Sequence, residues 1–159
     1  MRKNMLVFAA VAICTANTVT AVLAQAVDVV GLDGKSVSVS LDTLERRTVV
    51  TEDRGVRVEF QGVALRDVLI KAGIPFGDAL RGSALARVVI ASAPDGYRVA
   101  YAIAELDAAF TDQVVLVADR RDGRPLLPDT GPLQIVVPND KRPARWIRQV
   151  HKIEVRQLQ

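Results

Sequence analysis

The chain has 159 residues, half of them hydrophobic, with 21 Lys and Arg against 18 Asp and Glu. That length supports one single-core domain, and the formal charge of +3 falls to +1 beyond residue 26, where 19 basic residues face 18 acids, too small a field to hold a polyanion, so nucleic acid is not an expected partner. A single cysteine, Cys14, and a single histidine, His151, leave no thiolate or imidazole set for a zinc or copper cage and no disulfide, so no metal site is expected.

Arg2 and Lys3, the apolar run from Met5 to Ile13, and Ala24-Gln25-Ala26 together read as a signal peptide, which predicts a leader at 1–26 and a mature domain at 27–159. A spanning helix needs about 20 predominantly apolar residues, and Thr15, Asn17, Thr18 and Thr20 interrupt this one. A lipid anchor on Cys14 is disfavoured by the bulky Ile13 before it. Cleavage removes Met1, Met5 and Cys14, so the expected mature domain contains no sulfur and balances 19 basic against 18 acidic residues. The expected location is periplasmic or secreted, with no integral membrane segment after cleavage.

Val27 and Val29, then Val37, Val39 and Leu41, flank an Asp33-Gly34 step and predict a hairpin. Ser40 and Asp42 are suited to cap a short helical turn through Leu44. Thr48 to Thr51 and Val56 to Phe60 predict a second strand pair around Glu52-Asp53-Arg54-Gly55, with Val56, Val58 and Phe60 inward. The period becomes helical from Val63, through Leu65, Val68, Leu69 and Ala72, and Gly73 stops it. Ala86 to Ala93 reads as a strand reversed at Pro94-Asp95-Gly96 into Tyr97, Val99 and Tyr101, with a small helix at Ile103 to Leu106. Gln113 to Ala118 reads as a strand covered on both faces, Asp122-Gly123 as a turn, Leu133 to Val137 as a buried strand, and Val150, Ile153 and Val155 as the last one. Strands and short helices mix without regular alternation, which predicts an α+β or mostly β domain with no internal repeat.

No catalytic residue is expected. His151 is the only imidazole available for a triad with Ser83 or Ser92, and no nucleophile-elbow sequence accompanies it. Asp28, Asp33, Asp53, Asp95 and Asp122 read as turn formers rather than calcium ligands. The unusual segment is 138–148, where Lys141, Arg142, Arg145 and Arg148, followed by Lys152, surround Trp146 with no acid between Lys141 and Lys152. Guanidinium forks and a flat indole suit an anionic ring compound. The alternative is that Trp146 packs in the core while the arginines face solvent or pair with Asp119, Asp122 and Asp140.

Gly62-Val63-Ala64-Leu65-Arg66-Asp67-Val68-Leu69, Asp95-Gly96-Tyr97, Asp122-Gly123-Arg124-Pro125-Leu126, Gly131-Pro132-Leu133-Gln134-Ile135-Val136-Val137-Pro138 and Arg142-Pro143-Ala144-Arg145-Trp146 follow one another in an order that resembles the sulfite-oxidase-like molybdopterin-binding domain. The similarity runs from about Val27 to Val155 and is most specific from Arg120 to Trp146. The resemblance implies an α+β, mixed-sheet, barrel-like domain with short helices. It also implies a molybdopterin cofactor used for oxygen-atom transfer in complete members, with basic residues beside the late tryptophan holding the pterin and phosphate end. Lys141, Arg142, Arg145 and Trp146 are the corresponding cofactor-binding candidates here, and Tyr97 and Tyr101 lie near that pocket or pack.

Departures from the family pattern weigh against its catalysis. Complete members take a cysteine thiolate to molybdenum from an N-terminal portion that this chain is expected to lack. Thr130-Gly131 stands where a histidine-glycine step is usual, and Asp140 where a glycine is common. The expectation is therefore an exported, non-catalytic module that binds a small anionic or pterin-like ligand. An oxidoreductase whose molybdenum is held without a protein thiolate, and a protein that docks a partner through its basic face or strand edges, are the alternatives.

Overall fold

The Asp33-Gly34 step turns the chain as its residues predict. Gly34 takes φ +76°, Asp33 Oδ1 accepts the Lys35 N–H at 3.1 Å, and antiparallel strands β1 (Ala26–Val30) and β2 (Ser36–Ser40) follow on either side. The computed structural model describes residues 25–159. Apart from Gln25 and Ala26, the expected leader lies outside the described residues. Leu41–Thr43 forms a 3-10 turn, but the Ser40 hydroxyl does not cap it as expected. Instead the Thr43 hydroxyl donates to the Ser40 carbonyl at 3.0 Å.

Strands β3 (Arg46–Asp53) and β4 (Val56–Ala64) pair across Arg54-Gly55, whose φ angles of 53° and 82° give the left-handed two-residue turn that matches strand twist. β4 continues through Val63 and Ala64, residues that the helical period had included with the next element. Val58 and Phe60 are buried, whereas Val56 is 61% exposed because it sits at the hairpin tip, beyond the core. Helix α1 (Leu65–Lys71) buries Leu65, Val68 and Leu69 and stops before Gly73. β5 (Arg87–Ser92) and β6 (Arg98–Ala102) join through the Asp95-Gly96 turn, and Ile103–Leu106 is a 3-10 turn. β7 (Leu116–Arg121) begins later than its apolar run suggested, since the Val115 carbonyl accepts the Leu65 N–H at 2.8 Å rather than joining a ladder. Asp122-Gly123 then turns into β8 (Arg124–Pro125), and β9 (Gln134–Val136) and β10 (Lys152–Gln157) complete the strands.

These elements form two five-stranded sheets. One runs β2-β1-β10-β5-β6, with β1 and β10 parallel; the other runs β3-β4-β7-β8, with β9 also pairing β7. The fold is α+β as expected, but the barrel-like closure is not formed. β10 pairs with β1 and β5 and not with the second sheet, so both sheets stay open at their edges. One core draws on both: Val29, Val89 and Ile153 from the first, Phe60, Val117 and Ile135 from the second. Leu116, Val117 and Ala118 are all fully buried, so β7 is covered on both faces as its composition predicts.

A close approach of β4 to β7 fixes their register. A Cβ at Gly62 would lie 2.0 Å from the Val117 carbonyl oxygen, so only glycine fits there. The pairing slips between Gln61 and Gly62, leaving Asp119 unpaired as a bulge. Arg46 grips that buried carboxylate with both terminal nitrogens, at 2.5 and 2.7 Å.

Asp107 ties the loops after α1 to the domain. It is 3% exposed and accepts the backbone N–H groups of Ala109 at 3.0 Å and Gly77 at 2.7 Å, which hold its carboxyl below the usual carboxylate range. A depressed folded-state pKa means that these bonds stabilise the fold above the unfolded value and that their contribution is lost as pH falls through the folded one. Asp107→Ala is expected to lower the unfolding free energy at pH 7 by about 1–3 kcal/mol, the cost of two buried donors left unpaired. In urea denaturation at stepped pH, the gap between variant and wild type should narrow once the pH is below the ordinary carboxylate value of 3.8.

Candidate functional site

The segment after β9 is held by one guanidinium. Arg145 donates from Nε and Nη2 to the two Asp140 oxygens at 2.9 and 2.8 Å, and from Nη1 to Glu105 at 3.0 Å. The Asp140 bonds, with those to Glu105, push its pKa above an already high value against the opposing effect of burial. Glu105 Oε1 also accepts the Ala102 N–H at 2.8 Å, so the cation is tied to the end of β6. Tyr101 lies beneath the guanidinium, 5.5 Å from ring centroid to Cζ, and its hydroxyl donates to the Arg145 carbonyl at 2.6 Å. Burial pushes that phenol well above its ordinary range, so it remains a donor. Tyr97 repeats the clamp by donating to the Ala144 carbonyl at 2.8 Å.

This clamp seats Trp146. The indole is 6% exposed, its Nε1–H donates to the Val137 carbonyl at 2.9 Å, and it meets Phe60 edge to face at 5.7 Å and 89°. Arg121 stacks over the same Phe60 at 5.5 Å and is bound to Asp53 at 2.8 Å, which links the tips of the β3–β4 and β7–β8 hairpins. A cavity of about 880 Å³ opens between these tips, the β8–β9 loop and the clamped segment. Trp146 and Tyr97 contribute aromatic surface to it, and Gln134 contributes a polar side chain. Arg54, Arg124 and Arg148 also line it, and none of the three forms an ion pair among the described residues. Arg54 and Asp122 take positive φ because each stands in a two-residue hairpin turn before a glycine, and both line this cavity together with Gln149, whose φ is 52°.

Of the sequence-derived candidates, Trp146 reaches the cavity. Arg145 lies outside its lining and is committed to Asp140 and Glu105. Lys141 and Arg142 are exposed just before Pro143, which is a lining residue. Sequence reasoning passed over Arg54, Arg124, Gln134 and Gln149. Arg54 and Arg124 are 70 positions apart and line one cavity because β4 pairs with β7. The available signal was the position of Arg54 beside Gly55 at the tip of a predicted hairpin. His151 is exposed and makes no hydrogen bond to Ser83 or Ser92 through its ring. Among the described residues, no three His, Cys, Asp or Glu side chains are grouped to hold a metal, and no helix is long and apolar enough to cross a membrane.

Against known families, residues 40–159 match the model described as the oxidoreductase molybdopterin binding domain. No curated protein matches the chain. The group implied by that family fits this site only in part. The cavity has the volume and the aromatic wall for a planar heterocycle. Its donor chemistry does not fit a soft metal centre, because no residue from 25 to 159 carries a thiol, and the guanidinium beside Trp146 is already neutralised by Asp140.

Two substitutions test what holds this segment in place. Trp146→Ala is expected to cost about 3–5 kcal/mol as a large core truncation. Arg145→Ala is expected to cost about 1–2 kcal/mol by stranding Asp140 and Glu105, a figure reduced for screening because the arginine side chain is 35% exposed. Urea denaturation measures both, and an Arg145→Ala protein as stable as wild type would contradict the structural role of this cation.

Proposed function

The chain belongs to the oxidoreductase molybdopterin-binding domain family, and from that premise we propose that it is an exported, non-catalytic binding module whose cavity takes a small anionic or pterin-like ligand. The observation that carries this reading is the pairing of an open, arginine-lined cavity with the absence of any thiol from 25 to 159. Export rests on the basic start, apolar run and Ala24-Gln25-Ala26 of the N-terminus, and gives a periplasmic or secreted protein.

In this reading Trp146 and Tyr97 hold the ring, and Arg148, with Arg124 and Arg54, meets its negative charge. Lys141 and Arg142 stand at the approach and favour entry of an anion. Arg145 acts through the backbone: with Tyr101 and Tyr97 it fixes the 144–146 segment that forms one wall. In catalytic members of the family the cofactor supplies oxygen-atom transfer at molybdenum, and this chain provides no protein sulfur from 25 to 159 to complete such a centre.

Two measurements test the reading. Protein purified from its native host, with cofactor supply intact, should contain far less than one molybdenum per chain by elemental analysis. Stoichiometric molybdenum would instead establish an oxidoreductase whose metal is held by its cofactor alone. In calorimetry with pterin-6-carboxylate, Arg148→Ala should weaken binding about tenfold, the value of one charge-assisted hydrogen bond, while an unchanged affinity would remove Arg148 from the site.

A further inference from the structure

The cavity wall carries a polar side chain that the fold leaves without a partner. Gln134 is 7% exposed, lies on β9 between Leu133 and Ile135, and lines the cavity. Its carboxamide makes no hydrogen bond among the described residues. It is also not sealed in the interior: the fully enclosed side-chain atoms without partners belong to Gln25, Arg47, Arg66 and Gln113. A nearly buried amide that opens only to a cavity is completed by whatever occupies it.

The charges around it narrow that occupant. Arg54, Arg121, Arg124 and Arg148 are matched in number by Asp53, Asp95, Asp122 and Asp129 in the lining. Arg121 is engaged by Asp53 at 2.8 Å and by Asp122 at 3.6 Å. A dianionic phosphate would therefore enter a lining with no net positive charge, beside carboxylates that oppose it, and would lose its hydration on entry. A single carboxylate needs only one arginine. A carboxamide presents one acceptor beside one donor, the complement of a lactam edge on a heterocycle.

We propose that Gln134 reads a lactam edge on a planar heterocycle bearing a single carboxylate, and that this cavity discriminates against phosphate esters. The proposal rests on the reading of the cavity as a ligand site and names the ligand class for it. It departs from a pocket built to hold a phosphate, because the arginines of the lining are matched by aspartates and Gln134 is neutral.

Calorimetry with three probes tests it: pterin-6-carboxylate, which has the lactam edge and one carboxylate; benzoate, which has only the carboxylate; and phenyl phosphate. The full mature protein should bind pterin-6-carboxylate at least about tenfold more tightly than benzoate and phenyl phosphate least of all, the preference that two hydrogen bonds supply. Gln134→Leu should abolish the preference over benzoate while unfolding at the same or a higher temperature, since it removes an unpartnered buried amide. Gln134→Glu, which keeps the shape but replaces the donor with an acceptor, should lose the preference as well. If Gln134→Leu keeps the preference, unfolds at a lower temperature, or if phenyl phosphate binds most tightly, Gln134 is not the reading group and only this proposal fails. If wild type binds none of the three, the binding-module reading fails with it.

Discussion

The arrangement of the site depends on one guanidinium held between two carboxylates. Arg145 lies between Asp140 and Glu105 over the ring of Tyr101, and this joins the segment after β9 to the end of β6. With Tyr101 and Tyr97 holding the carbonyls of residues 145 and 144, the chain at Trp146 has little freedom left. The indole is pressed onto Phe60, and the cavity gains a fixed wall. A partly buried cation that donates four hydrogen bonds to two acids is strongly placed but has little charge left to offer a ligand.

That placement gives Asp140 a physical role. At a position where the family pattern has a glycine, an acid five residues before Arg145 folds back to chelate it. The cation that the resemblance assigns to the phosphate end of a cofactor is thereby spent on folding. Charge available to a ligand is displaced to Arg148 and to the two hairpin tips, where Arg54 and Arg124 stand. Gln134 contributes hydrogen-bonding capacity without charge. The absence of a thiol from 25 to 159, the neutralisation of Arg145 and the uncharged Gln134 in the lining are the three features on which the proposed binding of a small ring compound rests.

Much of the fold was legible because its signals are local. Asp33-Gly34, Asp95-Gly96 and Asp122-Gly123 marked turns, the valine-rich alternations marked strands, and Leu65, Val68 and Leu69 marked the helix. The misread features depend on partners distant in the chain. Val63 and Ala64 stay in β4 because β7 pairs with them, Val56 is exposed because the hairpin tip overhangs the core, and β7 starts late because Val115 is bonded to the start of α1. Open sheets replace a closed barrel because β10 chose β1 and β5. The site was legible by half. The basic, tryptophan-bearing segment was visible as unusual, and Trp146 does reach the cavity, but whether an arginine faces a ligand or an internal acid depends on where Glu105 and Asp140 fold. Gln134 carried no signal in a run of apolar residues, because a lone polar residue in a buried strand acquires meaning only from the space beside it.

Within the cationic segment Arg145 serves folding, while Arg148 faces the cavity proposed to bind. The most direct measurement is a crystal structure of the protein soaked with pterin-6-carboxylate. The ring is expected inside the cavity, its edge on Gln134 and its face near Trp146 and Tyr97, with the Arg145–Asp140 pair unbroken. A ligand seated on Arg145 with Asp140 displaced would contradict it.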